Sequence, residues 1–514
     1  MVSGGHNNNM SDFKLFNRGK NNSENLHPPR EPRFPEPINS QTLKNIFADC
    51  GDFQTRDIAP GLMPGEKLFV CWLDGTVDGT AVSEDILRPL TELLRAGAAP
   101  TAQRLMDGAV YCGAAQLRRD TDDLVTDLTQ GCAAVVFDGT AEAVTFEVRT
   151  QNVRGISEPQ LEKSLKGSKD SFTERLRTNT ALVRQRICNP ALKIRSTVLG
   201  RKSQTRASII YVDGVADPAQ VEELQRRLDA IDVDGVLATG GIEEYIVDRP
   251  KSPYPQLLHT ERPDRFARQL LGGRVGLIID GLPVAFLLPA TFAEFLRVPQ
   301  DDSLHFTIAS ILSIIRWLAL VMAVLLPAFY VAVAMYHQEM IPTKLLISII
   351  ESKQNVPFST ALEVIGMLIA FELLQEASLR LPDPIAATTS IIGALIVGQS
   401  AVEAKVISPI AVIVVALAGI SGSALPSQDM GAAVRIWRFL LVISAVLAGL
   451  YGVAVLVCFM IWQLCTMDCF GVNYTAPMSD GKPRSVGRTF LRKPKPEDKF
   501  REPELNTPDK RRQA

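Results

Sequence analysis

The 514 residues are 46% hydrophobic and 21% charged, with 54 basic side chains against 56 acidic ones, a balance that gives no global case for a nucleic-acid binder. The averages conceal a segregation: charge fills roughly the first 300 and last 45 residues and nearly leaves the middle. Eight scattered cysteines include no CxxC pair, and no histidine stands at ligand spacing, so neither a zinc site nor any other cofactor is implied.

Residues 1–40 hold no apolar run of a secretory signal and are rich in Asn, Pro and charge. Such a stretch cannot bury enough surface to offset its ordering entropy, so it reads as a disordered tail. The following residues to about 300 are expected to stay in the cytoplasm. There the chain alternates strand and helix. LFVCWLDG (68–75) and AAVVFDG (133–139) are β-rich runs closed by Asp-Gly, and the order recurs as ASIIYVDG (207–214) and VGLIIDG (275–281). Asp74 and Asp138 lie 64 residues apart, Asp213 and Asp280 lie 67 apart. This spacing predicts a duplicated α/β unit, with subdomain 1 over 41–155 and a linker helix plus subdomain 2 over 156–300. The four aspartates read as turn chemistry. No phosphate loop, dinucleotide fingerprint, nucleophile elbow or zinc-protease motif occurs, so no enzyme is expected.

The basic stretch of 170–207, with Arg175, Arg177, Arg184, Arg186, Lys193, Arg195, Arg201, Lys202 and Arg206, suits anionic lipid. It suits better a solvated face or a contact to the acidic helix Glu222–Asp232.

The block 301–468 reads as a transmembrane domain, since a hydrocarbon core of ~30 Å takes roughly 20 apolar residues as helix. Spans are predicted over 306–336, 385–402, 406–428 and 439–467, with an interfacial helix at 342–356. In the first span Arg316 needs a partner or a route to the interface, and Pro327 predicts a kink. The segment 360–380 has a charge-free core too short to span and is expected to be re-entrant or spanning. Its carboxylates Glu363, Glu372 and Glu376, with Glu403 further on, are candidates for a pore or ion pathway. The alternative is a boundary helix whose Glu372 and Glu376 face water or pair with Arg380. Ala386, Ser390, Ala394 and Gly398 recur every fourth residue as a helix-packing stripe. Cys465 and Cys469, one turn apart, read as acylation targets or as free thiols at the boundary. A basic tail, 469–514, is expected in the cytoplasm. Retaining both termini requires an even number of spans; four spans leave Arg435 and Arg438 outside, whereas five export the tail.

Several blocks resemble the GerA family, the A-type subunits of spore germinant receptors. They are GSKDSFTERLRTN (167–179), IIYVDGVADP (209–218), IDVDG (231–235), SPYPQLLHTERPD (252–264), GGRVGLIIDGLPVAFLLPATFAEF (272–295), PAFYVAV (327–333) and FGVNYTAP (470–477). The chain departs at Asn473, where the family pattern leads one to expect proline, and in a more basic tail. The resemblance implies a multi-pass protein of the spore inner membrane, with a transporter-like B subunit and a lipoprotein C subunit as partners. It implies self-association with membrane lipid around it, into a nutrient-gated channel for monovalent cations. A scaffold role, with another subunit conducting or sensing, is the competing expectation.

Overall fold

The computed structural model describes residues 33–58, 68–96, 100–150, 159, 162, 167–236, 238–354, 356–379, 398–480 and 483–513. Order sets in before the predicted end of the tail. The Asp122 carboxylate accepts the N–H groups of Arg33 and Phe34, and Ile38 is buried.

Subdomain 1 starts with α1 (Ser40–Ile46), capped by Asn39, and continues with β1 (Phe53–Ile58) and β2 (Leu68–Leu73). Then come α2 (Arg88–Arg95), β3 (Ala115–Arg118), α3 (Thr121–Thr129), β4 (Cys132–Phe137) and β5 (Glu142–Glu147). Subdomain 2 repeats the plan with α4 (Leu176–Arg186), β6 (Leu192–Leu199), β7 (Thr205–Val212), α5 (Pro218–Asp229) and α6 (Thr239–Ile246). It closes with β8 (Leu258–Thr260), α7 (Pro263–Leu271), β9 (Val275–Ile279) and β10 (Ala285–Leu288).

The two sheets have the same strand order, β1-β2-β4-β5-β3 and β6-β7-β9-β10-β8. Every pairing is antiparallel. The reason is local: in each sheet the first two strands and the third and fourth form hairpins, and the short fifth strand is added at the far edge. The four Asp-Gly turns end β2, β4, β7 and β9. They do more than turn the chain. Asp138 accepts the N–H of Ser40, the first residue of α1, at 2.7 Å, and Asp280 accepts the N–H of Leu176, the first residue of α4, at 2.9 Å. Each closes an orphan donor of the helix that enters its own sheet.

The basic stretch is neither lipid-facing nor simply solvated. Arg184, fully buried, makes a two-pronged pair with Asp52 at 2.7 and 2.9 Å. Arg177 meets Asp74, Arg195 meets Asp49 and Arg186 meets Asp170. Among the described residues only Arg201 reaches the end of the acidic helix region, at Asp232. The pairs of Arg184, Arg177 and Arg195 form the seam between the subdomains, reinforced by the backbone bond from Gly51 to Ile194 at 2.8 Å.

Beyond 300 the chain becomes helical: α8 (Phe306–Tyr336), α9 (Thr343–Lys353), α10 (Thr360–Leu379), α11 (Pro409–Ser423) and α12 (Gln428–Cys465). Of these, α8 and α12 are long and apolar enough to cross a membrane. Helix α8 runs unbroken through Pro327 for 31 residues, about 46 Å. Its Arg316 pairs with Asp301 at 2.6 Å, next to subdomain 2.

The last predicted span, 439–467, overlaps α12. The helix begins at Gln428, eleven residues before the expected Phe439, and it is not one straight rod. Ala448 and Gly449 leave helical geometry, Gly449 with φ 59° and ψ −144°. A Cβ on Gly452 would lie 2.5 Å from the Ser444 carbonyl oxygen, and the rings of Trp437 and Phe459 sit 6.2 Å apart. A straight helix would hold residues 437 and 459 about 33 Å apart. The chain therefore doubles back: 428–447 runs away from subdomain 2 and 450–465 returns to it. Asp429 touches His259 and Trp437 stacks on Tyr254 at the outset; Thr466 accepts from Arg249 at the end. The reversal lies at the other pole of the bundle, where Tyr336 donates to the Val446 carbonyl at 2.5 Å.

The tail is a docked element. Strand-like pairs at Asp468–Cys469 and Val472–Asn473 lead into α13 (Pro483–Phe490). Tyr474 is buried and donates to the Pro255 carbonyl, Phe292 donates to the Tyr474 carbonyl, and Glu502 pairs with Arg274 and Arg297 of subdomain 2. Cys469 is enclosed, its thiol donating to the Gln256 carbonyl at 3.1 Å, while Cys465 stays exposed.

Candidate functional site

The candidate carboxylates sit on a helical scaffold whose directions follow from contacts. Glu363 meets Ser408 at the start of α11, and Phe371 packs at Gly419 two turns or more along. Helices α10 and α11 thus run side by side in the same direction, from the pole of Tyr336 toward subdomain 2. The stripe of Ala386, Ser390 and Ala394, most of the predicted span 385–402, and Arg380 lie outside the described residues. Gly398, the last member of the stripe, faces Val412 of α11, where an added Cβ would come within 3.7 Å.

Glu363 is buried. Its Oε1 lies 3.1 Å from Lys353 Nζ and its Oε2 accepts the N–H of Ser408 at 2.8 Å. The latter bond closes an orphan donor at the α11 entrance. Glu372 is gripped from α12 by Arg438 at 2.5 Å and Arg435 at 3.2 Å. One carboxylate faces two guanidinium groups, so this cluster carries a net positive charge. Glu376 is exposed one turn further. Glu403 is exposed near the opposite pole and accepts from Gln399 at 2.8 Å.

The four glutamates are not brought together. Glu363 and Glu372 are held in ion pairs, the first buried and the second half-buried, while Glu376 and Glu403 are exposed at different levels. Sequence reasoning missed Arg435 and Arg438 as partners because their pairs with Glu372 span 63 and 66 residues of chain, and missed Lys353 because it sits on the preceding helix α9. The missing signal for α12 was length: 29 apolar residues from 439 to 467 are about 43 Å of helix, well beyond ~30 Å of hydrocarbon, with a Gly near the middle.

A second cluster joins subdomain 2 to the bundle. His259 on β8 lies between Glu243 of α6 at 2.5 Å and Asp429 of α12 at 3.3 Å. Burial alone would lower its pKa, but the two carboxylates outweigh burial and push it up to about 9. At neutral pH it is an imidazolium between two anions.

Duplicated antiparallel units, a docked tail and a partly uncovered apolar bundle define a membrane-associated protein with a large polar domain. The family model of the Bacillus/Clostridium GerA spore germination protein matches residues 41–504, and the chain belongs to that family. It is 33% identical to spore germination protein KA of Bacillus subtilis, over 97% of this chain and 95% of that protein. It is also 33% identical to the Bacillus subtilis membrane protein YfkQ, over 92% and 91%, and 31% identical to GerLA of Bacillus cereus, over 91% and 96%. Among solved structures it matches the N-terminal domain of the A subunit of the Bacillus megaterium germinant receptor GerK3. That match is 27% identical, with a TM-score of 0.40, and covers 51% of this chain and 99% of that one.

Proposed function

We propose that this chain is the A-type subunit of a germinant receptor in the spore inner membrane, working with a B and a C subunit and self-associating into a cation channel. The observation that carries the reading is the uncovered apolar surface of the bundle. Only 44% of the apolar stretch of α8 and 33% of that of α12 is buried within one chain, and Ile311, Leu318, Leu447 and Tyr451 are exposed. Lipid and neighbouring copies are the natural cover for such faces.

The reversal at Gly449 supports an even-numbered topology. Helix α8 leads outward, α10 and α11 both lead inward, and α12 goes out and back. Arg435, Arg438 and the tail then all lie on the cytoplasmic side, as the positive-inside rule favours. In inverted vesicles, single cysteines at 432 and 490 should react together while 405 is protected. A protected 490 with an exposed 432 would sink this topology.

The scaffold reading gains from one observation: Glu363 and Glu372 are already engaged within the chain. The channel reading is tested at the two exposed carboxylates, Glu376 and Glu403, each of which also has a contact of its own. Glu376→Gln and Glu403→Gln, assayed for cation flux in reconstituted receptor, should lower flux while leaving thermal stability in place. Unchanged flux in both would favour the scaffold.

A further inference from the structure

Where subdomain 2, the start of α8 and the tail meet, they enclose a cavity of about 470 Å³. Sites for small ligands commonly span about 300–1,000 Å³. Nine Arg or Lys side chains line it against six Asp or Glu. The acids are already engaged: Glu502 with Arg274 and Arg297, Glu294 with Arg297, Asp301 with Arg316, Asp302 with Arg268 and Asp498 with Arg512. Glu504, too, has an interaction of its own. Arg488, Lys493 and Lys495 have no carboxylate partner among the described residues. Beside them Thr489, 3% exposed, lines the cavity with a buried hydroxyl that has no hydrogen-bond partner. A surplus of fixed positive charge and an unanswered hydroxyl facing one space call for an anion with several acceptor oxygens.

The position of the cavity narrows the source. Its wall includes Ala309 and Ser313 in the first two turns of α8. On the same turns Ile308, Ile311, Leu312 and Ile315 are exposed, so apolar surface begins at the cavity mouth. Helix α13 lies against this place, the Phe490 ring tilted against Trp317 with centroids 4.9 Å apart, and Val486 and Leu491 are exposed. Apolar chain contacts on one side and unpaired cations on the other match a lipid at headgroup level.

We propose that this cavity is a binding site for a phosphate-class anion, presented by an anionic phospholipid whose acyl chains lie along Ile308, Ile311 and Ile315. Arg488, Lys493 and Lys495 neutralise the phosphate and Thr489 donates to it. The site clamps the tail to the root of α8, and it stands independently of whether the chain conducts.

The full chain is placed in nanodiscs of phosphatidylcholine alone, of phosphatidylcholine with phosphatidylglycerol, and of phosphatidylcholine with inorganic phosphate in the buffer. Thermal unfolding and native mass spectrometry are read in each. The expected result is a raised Tm and retained phosphatidylglycerol only in the anionic discs. In the R488Q/K493Q/K495Q variant binding should be about tenfold or more weaker, with Tm in neutral discs unchanged. If that variant does not fold, Thr489→Val should by itself reduce the lipid-dependent rise. An equal rise with inorganic phosphate would keep the anion site and overturn the lipid as its source. No rise with either ligand, or a full rise in the variants, overturns the proposal, as does co-purification of an acidic protein segment in that space.

Discussion

The two subdomains share one plan but are held by different neighbours. In subdomain 1 the turn after β2 receives α4: Asp74 pairs with Arg177, and Gly75 is so close to Ala181 that a Cβ would come within 3.1 Å. In subdomain 2 the turn after β7 receives the tail instead, Gly214 accepting from Asp509 at 3.2 Å. The same docking edge is thus used twice, once for the helix that begins the next unit and once for the end of the chain. Duplication fixed the sheet; the identity of the docked segment decides whether a unit is linked to its twin or to the membrane bundle.

The largest way to break the comparison is Arg184→Ala. It leaves Asp52 buried without its partner in the seam, and should cost about 3–5 kcal/mol. Chemical unfolding of the full chain should then show subdomain 1 melting as a separate, earlier step; one unchanged transition would refute the seam. Glu502→Gln tests the other docking. It weakens the pairs to buried Arg274 and to Arg297 and should cost about 1–3 kcal/mol, visible as faster proteolysis of the tail with subdomain 1 unaffected. The equivalent turn aspartates sharpen the likeness. Asp138→Asn and Asp280→Asn should each cost about 0.5–2 kcal/mol, and similar losses are expected because each carboxylate meets the first N–H of a helix. A loss at only one site would mean the two devices have diverged.

The smallest effect is the pH response of subdomain 2. His259 is raised in the folded chain, so its contribution is fully present below the unfolded value near 6.5 and is lost as pH rises through about 9. The contact between β8 and α12 should weaken over that window, and His259→Gln should flatten the difference between unfolding midpoints at pH 7 and pH 10. A wild-type chain equally stable at both would exclude the bridge. Subdomain 1 has no counterpart among its described residues.

Much of the polar half was legible because its signals are local. An apolar run closed by Asp-Gly announces both strand and turn, and the 64- and 67-residue spacings reveal the repeat. The edge strands β1, β3, β6 and β8 were not read, since short, half-exposed runs such as FQTRDI and AQLR lack apolar periodicity. The roles of the basic linker were hidden for another reason. Arg184 and Asp52 are 132 positions apart, and charge in a sequence does not say where its partner lies. In the bundle, hydropathy measures how much apolar chain exists but carries no direction. It cannot separate one crossing from a pair of arms when the turn between them is Ala448–Gly449.

That turn has a consequence for how the protein enters a bilayer. Most hairpins that cross a membrane must carry a polar loop through the hydrocarbon, at several kcal/mol for unsatisfied polar groups. Between the two arms of α12 there is almost nothing to carry: two small residues, with exposed Leu447 and Tyr451 beside them. The pair can slide in from the side of subdomain 2 as a single greasy wedge, leaving both its charged start at Asp429 and the tail behind. A larger polar insertion between 447 and 450 would obstruct that entry before it disturbed the folded bundle.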